Sequence, residues 1–510
     1  MSTQQEDGVP PIAEKKIEAA EQKIDPYNVA GETDEEGNVK AIDYDRLIEH
    51  FGVQPLTDDL LARFEKVTGK PAHRLMRRKL FFSHRDFGKI LDVYEEYGAF
   101  MLYTGRGPSA GSLHLGHMIP MLFTKELQEI FDVPLVIMLT EDEKYAYTRY
   151  KNDGKLLPGN DIGDFLGYAY DNAKDIIALG FDKKKTFIYT DYEYLGGHYQ
   201  QNASEFGSLI SFNQVRGAFG FGDGHNIDLI SYGPRQCAAA FPTSYPTLFG
   251  YDDYRAPNYP SHARRPSKEL AALPTLIPCA IDQEPYFRIL RDNCERMSRK
   301  SPKTSLILSK FLTALQGPGG KMSASDANSA IYMSDTPNQI KNKINRHAFS
   351  GGRESLEEHR QFGGNPDVDV AYTYLSYFLD SDQELEDLAT KYRSGELLTG
   401  EMKAKCISVL QDFVGAFQER RSKVDDKVMR EYMTPRKLEY EGKKDAPKRG
   451  QFSLLAQSGE KGGSTEKVER EDGKLTKGEK KAAKLAEKKA QKEAEKKGDL
   501  PERPKEATAS

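Results

Sequence analysis

Apolar positions along the chain repeat with two different periods. Short continuous runs occur at Ala99 to Thr104, Val133 to Leu139, Thr186 to Thr190 and Leu276 to Ile281. Such runs predict strands covered on both faces, as in a parallel sheet. Between them the spacing changes to three and four, which predicts helices over Ala169 to Leu179 and Pro285 to Arg296. Strands alternating with helices predict a doubly wound, Rossmann-like α/β sheet, with ligands at the carboxyl ends of its strands. Asp43 to Phe87 reads as helical, with Leu47, Ile48, Phe51, Leu60, Leu61, Phe64 and Val67 on apolar faces. Thr336-Pro337-Asn338-Gln339 has the form of a helix start: a capping Thr, Pro at the first helical position and Gln reaching back. Ser355 to Met433 reads as almost wholly helical, Met402, Cys406, Leu410, Phe413 and Phe417 forming one core-facing stripe.

One stretch breaks these periods. After the run Ala99 to Thr104 come Gly105, Gly107, Pro108 and Gly111, which predict a turn without regular structure. Ser112 then caps a predicted helix carrying Leu113, His114, Leu115, Gly116 and His117. A strand feeding a glycine-rich turn and a helix N-terminus is an anion site, because the unpaired amides and the helix dipole point at whatever sits there. His114 and His117, three apart, can face one ligand, and Gly116 lets something flat approach the backbone. By itself such a histidine pair fits a metal half-site or plain surface polarity equally well. About 200 residues on, Gln316-Gly317-Pro318-Gly319-Gly320 leads into Lys321-Met322-Ser323-Ala324-Ser325, a loop whose lysine suits a phosphate as a point charge.

Composition narrows the class. Net charge is −5 over 510 residues, so any nucleic-acid surface is local. Cys237, Cys279, Cys294 and Cys406 form no CxxC pair and no zinc spacing, and free thiols predict a reducing compartment. The first residues show neither a secretory nor an import pattern, and no apolar run approaches the roughly 18 residues of a membrane span. A soluble, cytosolic protein is expected. Arg74, Arg77, Arg78, Lys79 and Arg85 make a locally basic region, readable as a solvated face or as a phosphate or RNA contact. Lys474 to Lys497 holds ten Lys against four Glu, which suits a disordered or single-helix tail serving as a non-specific RNA tether or a solubiliser.

His114-Leu115-Gly116-His117 together with Lys321 to Ser325 resembles the paired signatures of class I aminoacyl-tRNA synthetases. The blocks YTGRGPS, DVPLVI, DEKY, NAKDII, IPCAIDQ, PYFR, TALQG, HAFSGG, HRQFGGNPDVDV and MTPRKL, in that order between Ile24 and Leu438, resemble the eukaryotic cytoplasmic tryptophan branch of that class. The resemblance implies ATP-dependent activation of tryptophan and its transfer to tRNA(Trp) by a cytoplasmic homodimer. It implies His114, His117 and Lys321 as the catalytic residues. It further implies contacts to ATP from Thr104, Gly105, Arg106, Gly116, Lys144, Met322 and Ser323, with Mg2+ held through the phosphates and no protein-built metal site. For the amino acid it implies Tyr103, Glu143, Gln236 and Gln283, with Met138 where the family pattern has a polar acceptor for the indole N–H. The corresponding divisions are a disordered 1–23, an extension 24–97 covering the site, a catalytic domain 98–350, a helical anticodon-binding domain 351–440 and a tail 441–510. In the extension, Tyr27 stands where the family has Trp, and the loop between Gly250 and Pro274 is longer than in the family. A tyrosine-specific synthetase of the same fold and a catalytically silent RNA-binding or signalling paralogue are the alternatives. The blocks HAFSGG, HRQFGGNPDVDV and MTPRKL oppose the first, and the intact His114, His117 and Lys321 oppose the second.

Overall fold

Nine strands are present among the described residues: β1 (Lys23–Ile24), β2 (Val29–Ala30), β3 (Gln54–Pro55), β4 (Phe81–Arg85), β5 (Met101–Arg106), β6 (Leu135–Leu139), β7 (Thr186–Thr190), β8 (Thr275–Ala280) and β9 (Ser305–Ser309). The computed structural model describes residues 21–24, 29–32, 40–251, 268–317, 322 and 328–449. Tyr27, most of the long loop after Gly250, Lys321, Ser323 and the lysine-rich 474–497 lie outside them. The chain divides into a unit Met1–Ala456 and a second, Gln457–Ser510.

β1 and β2 form a small antiparallel pair, and the other seven strands form one sheet in the order β3-β4-β9-β8-β5-β6-β7. Its five strands β9-β8-β5-β6-β7 are parallel. From β5 the chain winds to β6 and β7, then returns to β8 on the other side, so the topological switch lies beside β5. The doubly wound expectation holds. β6, β7, β8 and β9 are buried along nearly their whole length, as continuous apolar runs require.

Three sequence expectations need correction here. The turn after Thr104 is shorter than expected, because β5 continues through Gly105 and Arg106, which pair with Met138 and Leu139. A glycine in a strand loses packing but not its ladder hydrogen bonds, and β6 supplies those. The region Asp43 to Phe87 is not helical throughout: β4 pairs antiparallel with β9 and β3 antiparallel with β4, among helices Tyr44–Phe51, Asp58–Thr68 and Phe87–Tyr97. The run Phe81-Phe82 carries strand character that the surrounding helical period hides. Finally, residues 441–449 belong to the folded body. Gly442 N–H donates to Asp132 O and Lys443 N–H to Gly98 O, both at 2.9 Å, and Ala446 is buried.

The basic residues of 74–85 are structural anchors. Arg78 donates to the carbonyls of Ser376 and Leu379 and pairs with Asp382, which Arg77 also meets at 2.7 Å. Arg85 pairs with the fully buried Glu284. From Ser355 onward the chain is helical as expected, in helices Leu356–Phe362, Val370–Phe378, Asp382–Arg393, Thr399–Arg421 and Asp426–Met433. Met402, Cys406, Leu410 and Phe417 are buried, and Phe413 packs partly buried against them. The Thr336 capping box forms, Thr336 N–H donating to Gln339 Oε1 at 2.8 Å and Gln339 N–H to Thr336 Oγ1 at 3.3 Å.

Candidate active site

A cavity of about 280 Å³ opens at the carboxyl ends of β5, β8 and β9, where the switch point places it. Thr104, Gly105 and Arg106 line it from β5, and His114, Gly116 and His117 from the helix start that follows. Glu143 and Lys144 come from the helix Glu141–Lys151 after β6, Gln236 from the helix Ile227–Ala238, and Gln283 from the turn after β8. Met322 joins them from the second motif.

The helix begins two residues later than Ser112 would set it. His114 is the cap, in extended conformation (φ −107°, ψ 165°), and Leu115–Phe131 is helical. His114 and His117 therefore occupy the cap and the third helical position, and their rings stack at 3.5 Å and 25°. The His114 N–H donates to His117 Nδ1 at 3.5 Å. With Nδ1 accepting, the proton of a neutral His117 sits on Nε2 as a donor. A Cβ on Gly116 would lie 3.1 Å from His114 Cε1, so a larger residue there would press the imidazole out of its present position by a few tenths of an ångström.

The chain after the second motif is fastened to this helix start. Leu115 N–H donates to Ile331 O at 2.9 Å, Met333 N–H to Leu113 O at 2.8 Å, and His114 forms an antiparallel bridge with Tyr332. Met322 is buried, and its Sδ would lie 3.5 Å from a Gly116 Cβ. Segments some 200 residues apart in sequence thus meet at one helix N-terminus.

Arg106 reaches the cavity from the last position of β5. Its Nε is buried without a hydrogen-bond partner, and loss of water lowers the guanidinium pKa to about 10, against the opposing charge of Glu143. An unsatisfied guanidinium donor beside a helix N-terminus suits a phosphate. Lys144 is less available, its Nζ pairing with Glu143 Oε2 at 2.9 Å.

The inner end of the site is a tyrosine network. Gln236 Nε2 donates to Tyr103 Oη at 3.3 Å, and the Tyr103 hydroxyl donates to Met138 Sδ at 3.2 Å. Gln236 Oε1 in turn accepts from Tyr232. Behind Met138, Tyr189 and Tyr245 share a hydrogen bond of 2.8 Å, and Tyr199 donates to Arg235 O at 2.8 Å. Beside the network lie three buried carboxyls. Burial raises Glu141 to about 8, Asp142 rises with it, and Asp191 lies well above the carboxylate range through burial and its two acidic neighbours. Arg235 Nη1 meets Asp142 Oδ2 at 3.2 Å.

A family model of class I tRNA synthetases (W and Y) matches residues 243–415. The chain is 49% identical to the cytoplasmic tryptophan–tRNA ligase of Saccharomyces cerevisiae, over 83% of this chain and 91% of that one. It is 45% identical to that of Homo sapiens, over 83% of each. This chain belongs to the tryptophan–tRNA ligase family. Among solved structures, the tryptophanyl-tRNA synthetase from Giardia lamblia aligns with TM-score 0.70 and 42% identity, covering 78% of this chain and 97% of that one. That membership gives the cavity its frame: a tryptophan–tRNA ligase handles a nucleotide and an amino acid, and the cavity joins a donor-rich helix start to a tyrosine network.

Most of the expected residues converge here. Tyr103 and Met138 stand behind the lining rather than in it, touching it through Gln236. Sequence reasoning did not single out Tyr232, Asp282, Phe287 or Lys310, which also line the cavity. Lys310 follows the apolar run Ser305–Ser309, and a polar residue just past a buried parallel strand is a signal that can be sought.

Proposed function

We propose that the chain activates tryptophan with ATP to tryptophanyl-adenylate and transfers the tryptophanyl group to tRNA(Trp). Its compartment is the cytoplasm, as for the relatives whose names say so. Among the described residues no helix is long and apolar enough to cross a membrane. The observation that supports the reading is the fastening of 331–333 to 113–115, together with Met322 in the lining of the cavity that His114 and His117 share.

In activation the tryptophan carboxylate attacks the α-phosphorus, and the bond to the bridging oxygen of pyrophosphate breaks. A carboxylate needs no general base, so positioning and neutralisation of phosphate charge are the work of the protein. His114 and His117, stacked at the helix N-terminus, donate to the phosphates, and Arg106 brings its unsatisfied Nε–H. Thr104, Gly105 and Gly116 leave room for the nucleotide backbone. Lys321, with Met322 and Ser323, takes the leaving pyrophosphate. Glu143 pairs with the substrate ammonium once Lys144 turns to phosphate, and Gln236 and Gln283 orient the amino acid. Tyr103 accepts the indole N–H.

Mg2+ enters as the complex of the phosphates. Glu143 and Asp282 are the carboxylates of the cavity, and among the described residues no three His, Cys, Asp or Glu converge on a metal position. These residues do not fit a protein-built magnesium cage. The helical residues 351–440 serve the anticodon, the stretch 24–97 covers the site, 474–497 tethers RNA through phosphate charge, and two chains form the working dimer.

ATP–pyrophosphate exchange with single amino acids tests the reading. Tryptophan stimulates exchange and tyrosine does so at least about 10³-fold less, as expected when a buried polar group must match its ligand. Stimulation by tyrosine alone refutes it.

A further inference from the structure

Lys310 stands just past the end of β9 and lines the cavity, and among the described residues the only acidic influence on it is that of Asp45. Its ammonium lies 5.2 Å from the ring centre of Tyr44 and 5.9 Å from that of Phe82, and those two rings pack edge to face at 5.0 Å. Tyr44 is itself fixed, because Phe311 N–H donates to its hydroxyl at 2.9 Å. Lys310 is anchored through its own amide, which donates to Leu80 O at 2.8 Å. Two π faces hold the charge in place without consuming any N–H donor. Burial lowers the pKa of the ammonium, and Asp45 opposes that only from a distance. A half-buried cation costs free energy unless something completes it. Lys310 lines the active-site cavity on one side and, with Tyr44, a second cavity on the other; only the first also holds the signature residues.

The strand order says which part of the nucleotide lies there. Tyr103 is on β5, and Glu143 follows β6. The carboxylate of the amino acid, and therefore the α-phosphorus, must come near β5, with the triphosphate at the His114–His117 helix start. Lys310 is two strands away on the opposite side, in the order β9-β8-β5, about 10 Å at ordinary strand spacing. The nucleoside must extend in that direction. Ring nitrogens of adenine and oxygens of ribose accept hydrogen bonds from an ammonium group.

We propose that Lys310, held by Tyr44 and Phe82, is a binding residue for the nucleoside end of ATP, with Tyr44 as its positioning residue. The inference rests on the reading that ATP occupies this cavity. It gives the region before β5 a direct part in nucleotide binding, since Tyr44 belongs to the helix Tyr44–Phe51 and Phe82 to β4.

The test is ATP–pyrophosphate exchange by the full chain, with adenosine as inhibitor, for Lys310→Met, Lys310→Arg, Tyr44→Leu and Arg106→Ala. In Lys310→Met the KM for ATP and the inhibition constant of adenosine rise together by about tenfold, as for loss of a charged donor. The KM for tryptophan and kcat stay within about threefold. Arg stacks on aromatic faces as Lys does, so Lys310→Arg recovers most of the ATP affinity, a rescue that no general loss of packing gives. Tyr44→Leu shifts the same two constants by a smaller factor. An unchanged KM for ATP in Lys310→Met, while Arg106→Ala weakens ATP, overturns the inference alone. Weakened ATP with unchanged adenosine overturns it too, by moving Lys310 to the phosphates. If Arg106→Ala and Lys310→Met are both silent, the nucleotide is not in this cavity and both readings fall.

Discussion

The two ends of the cavity are built on opposite plans. At the end read here as the phosphate end, donors are gathered at a helix start: stacked imidazoles, Arg106 with its unpartnered Nε–H, and the amides of the helix N-terminus. At the other, read as the amino-acid end, the tyrosine hydroxyls are engaged within the protein. Tyr103, Tyr189, Tyr199 and Tyr245 are each no more than 2% exposed, and their hydroxyls bond to one another, to Met138 Sδ or to main-chain oxygens. In the proposed reaction charge grows at the first end, so donors gathered there stabilise the transition state. At the second end an internally satisfied network penalises a ligand with the wrong polarity, because a misplaced donor or acceptor finds no partner.

The largest expected effects lie at the phosphate end. Lys321→Ala and His117→Ala each lower the rate of adenylate formation by about 10²–10³, roughly 2.7–4 kcal/mol, the usual loss for one transition-state donor. Single-turnover measurements at saturating ATP check this, with binding of tRNA measured in parallel and expected to change little. Equal rates in wild type and Lys321→Ala refute the role given to that loop.

Smaller effects belong to the amino-acid end, where they separate affinity from selectivity. Tyr103→Phe removes the acceptor and leaves Gln236 Nε2 without its partner, so kcat/KM for tryptophan falls by about 10–100-fold. Met138→Leu is milder. The thioether takes the Tyr103 proton at 3.2 Å, which leaves a lone pair of the hydroxyl for the ligand. Without it the hydroxyl can rotate, and preference for tryptophan over tyrosine drops by about threefold to tenfold, within the range of one ordinary hydrogen bond. A Met138→Leu enzyme with unaltered preference shows that Gln236 alone orients the hydroxyl.

The same contrast explains what could be read from the chain. The phosphate end is local in sequence: Thr104, Gly105, Arg106, His114, Gly116 and His117 fall within 14 residues, and strand–turn–helix order alone predicts their convergence. The amino-acid end gathers Tyr103, Met138, Tyr199, Gln236 and Phe287 from five elements, and no spacing rule links them. They were accessible only through resemblance to a family, or not at all, as with Tyr199. The parallel core was legible because continuous apolar runs have few alternatives at that length. The edge strands β3 and β4 were not, since two-residue β3 carries no period and β4 lies within helical patterns on both sides. The cap falls at His114 and not at Ser112 for a physical reason. Ser112 is the better capping residue, but Leu113 and Leu115 are pinned by Met333 and Ile331, and that pairing holds 113–114 extended.

The buried carboxyls beside the tyrosine network give the smallest effect, visible in stability rather than rate. Glu141 is wholly buried, accepts from Tyr192 N–H at 2.7 Å and is raised to about 8 by burial. A group raised in the folded state binds its proton more tightly there than in the unfolded chain. Its contribution is fully present below its unfolded value, near 4.5, and is lost as pH rises through about 8. Glu141→Gln keeps an acceptor for Tyr192 N–H and removes the titration. The variant is therefore expected to melt a few degrees above wild type at pH 8, with the gap narrowing towards pH 5. Thermal unfolding across that range, followed by circular dichroism, measures the gap directly. A gap that widens as pH falls means that Glu141 is ionised in the folded protein, with Tyr192 N–H and the start of helix Glu141–Lys151 holding the charge.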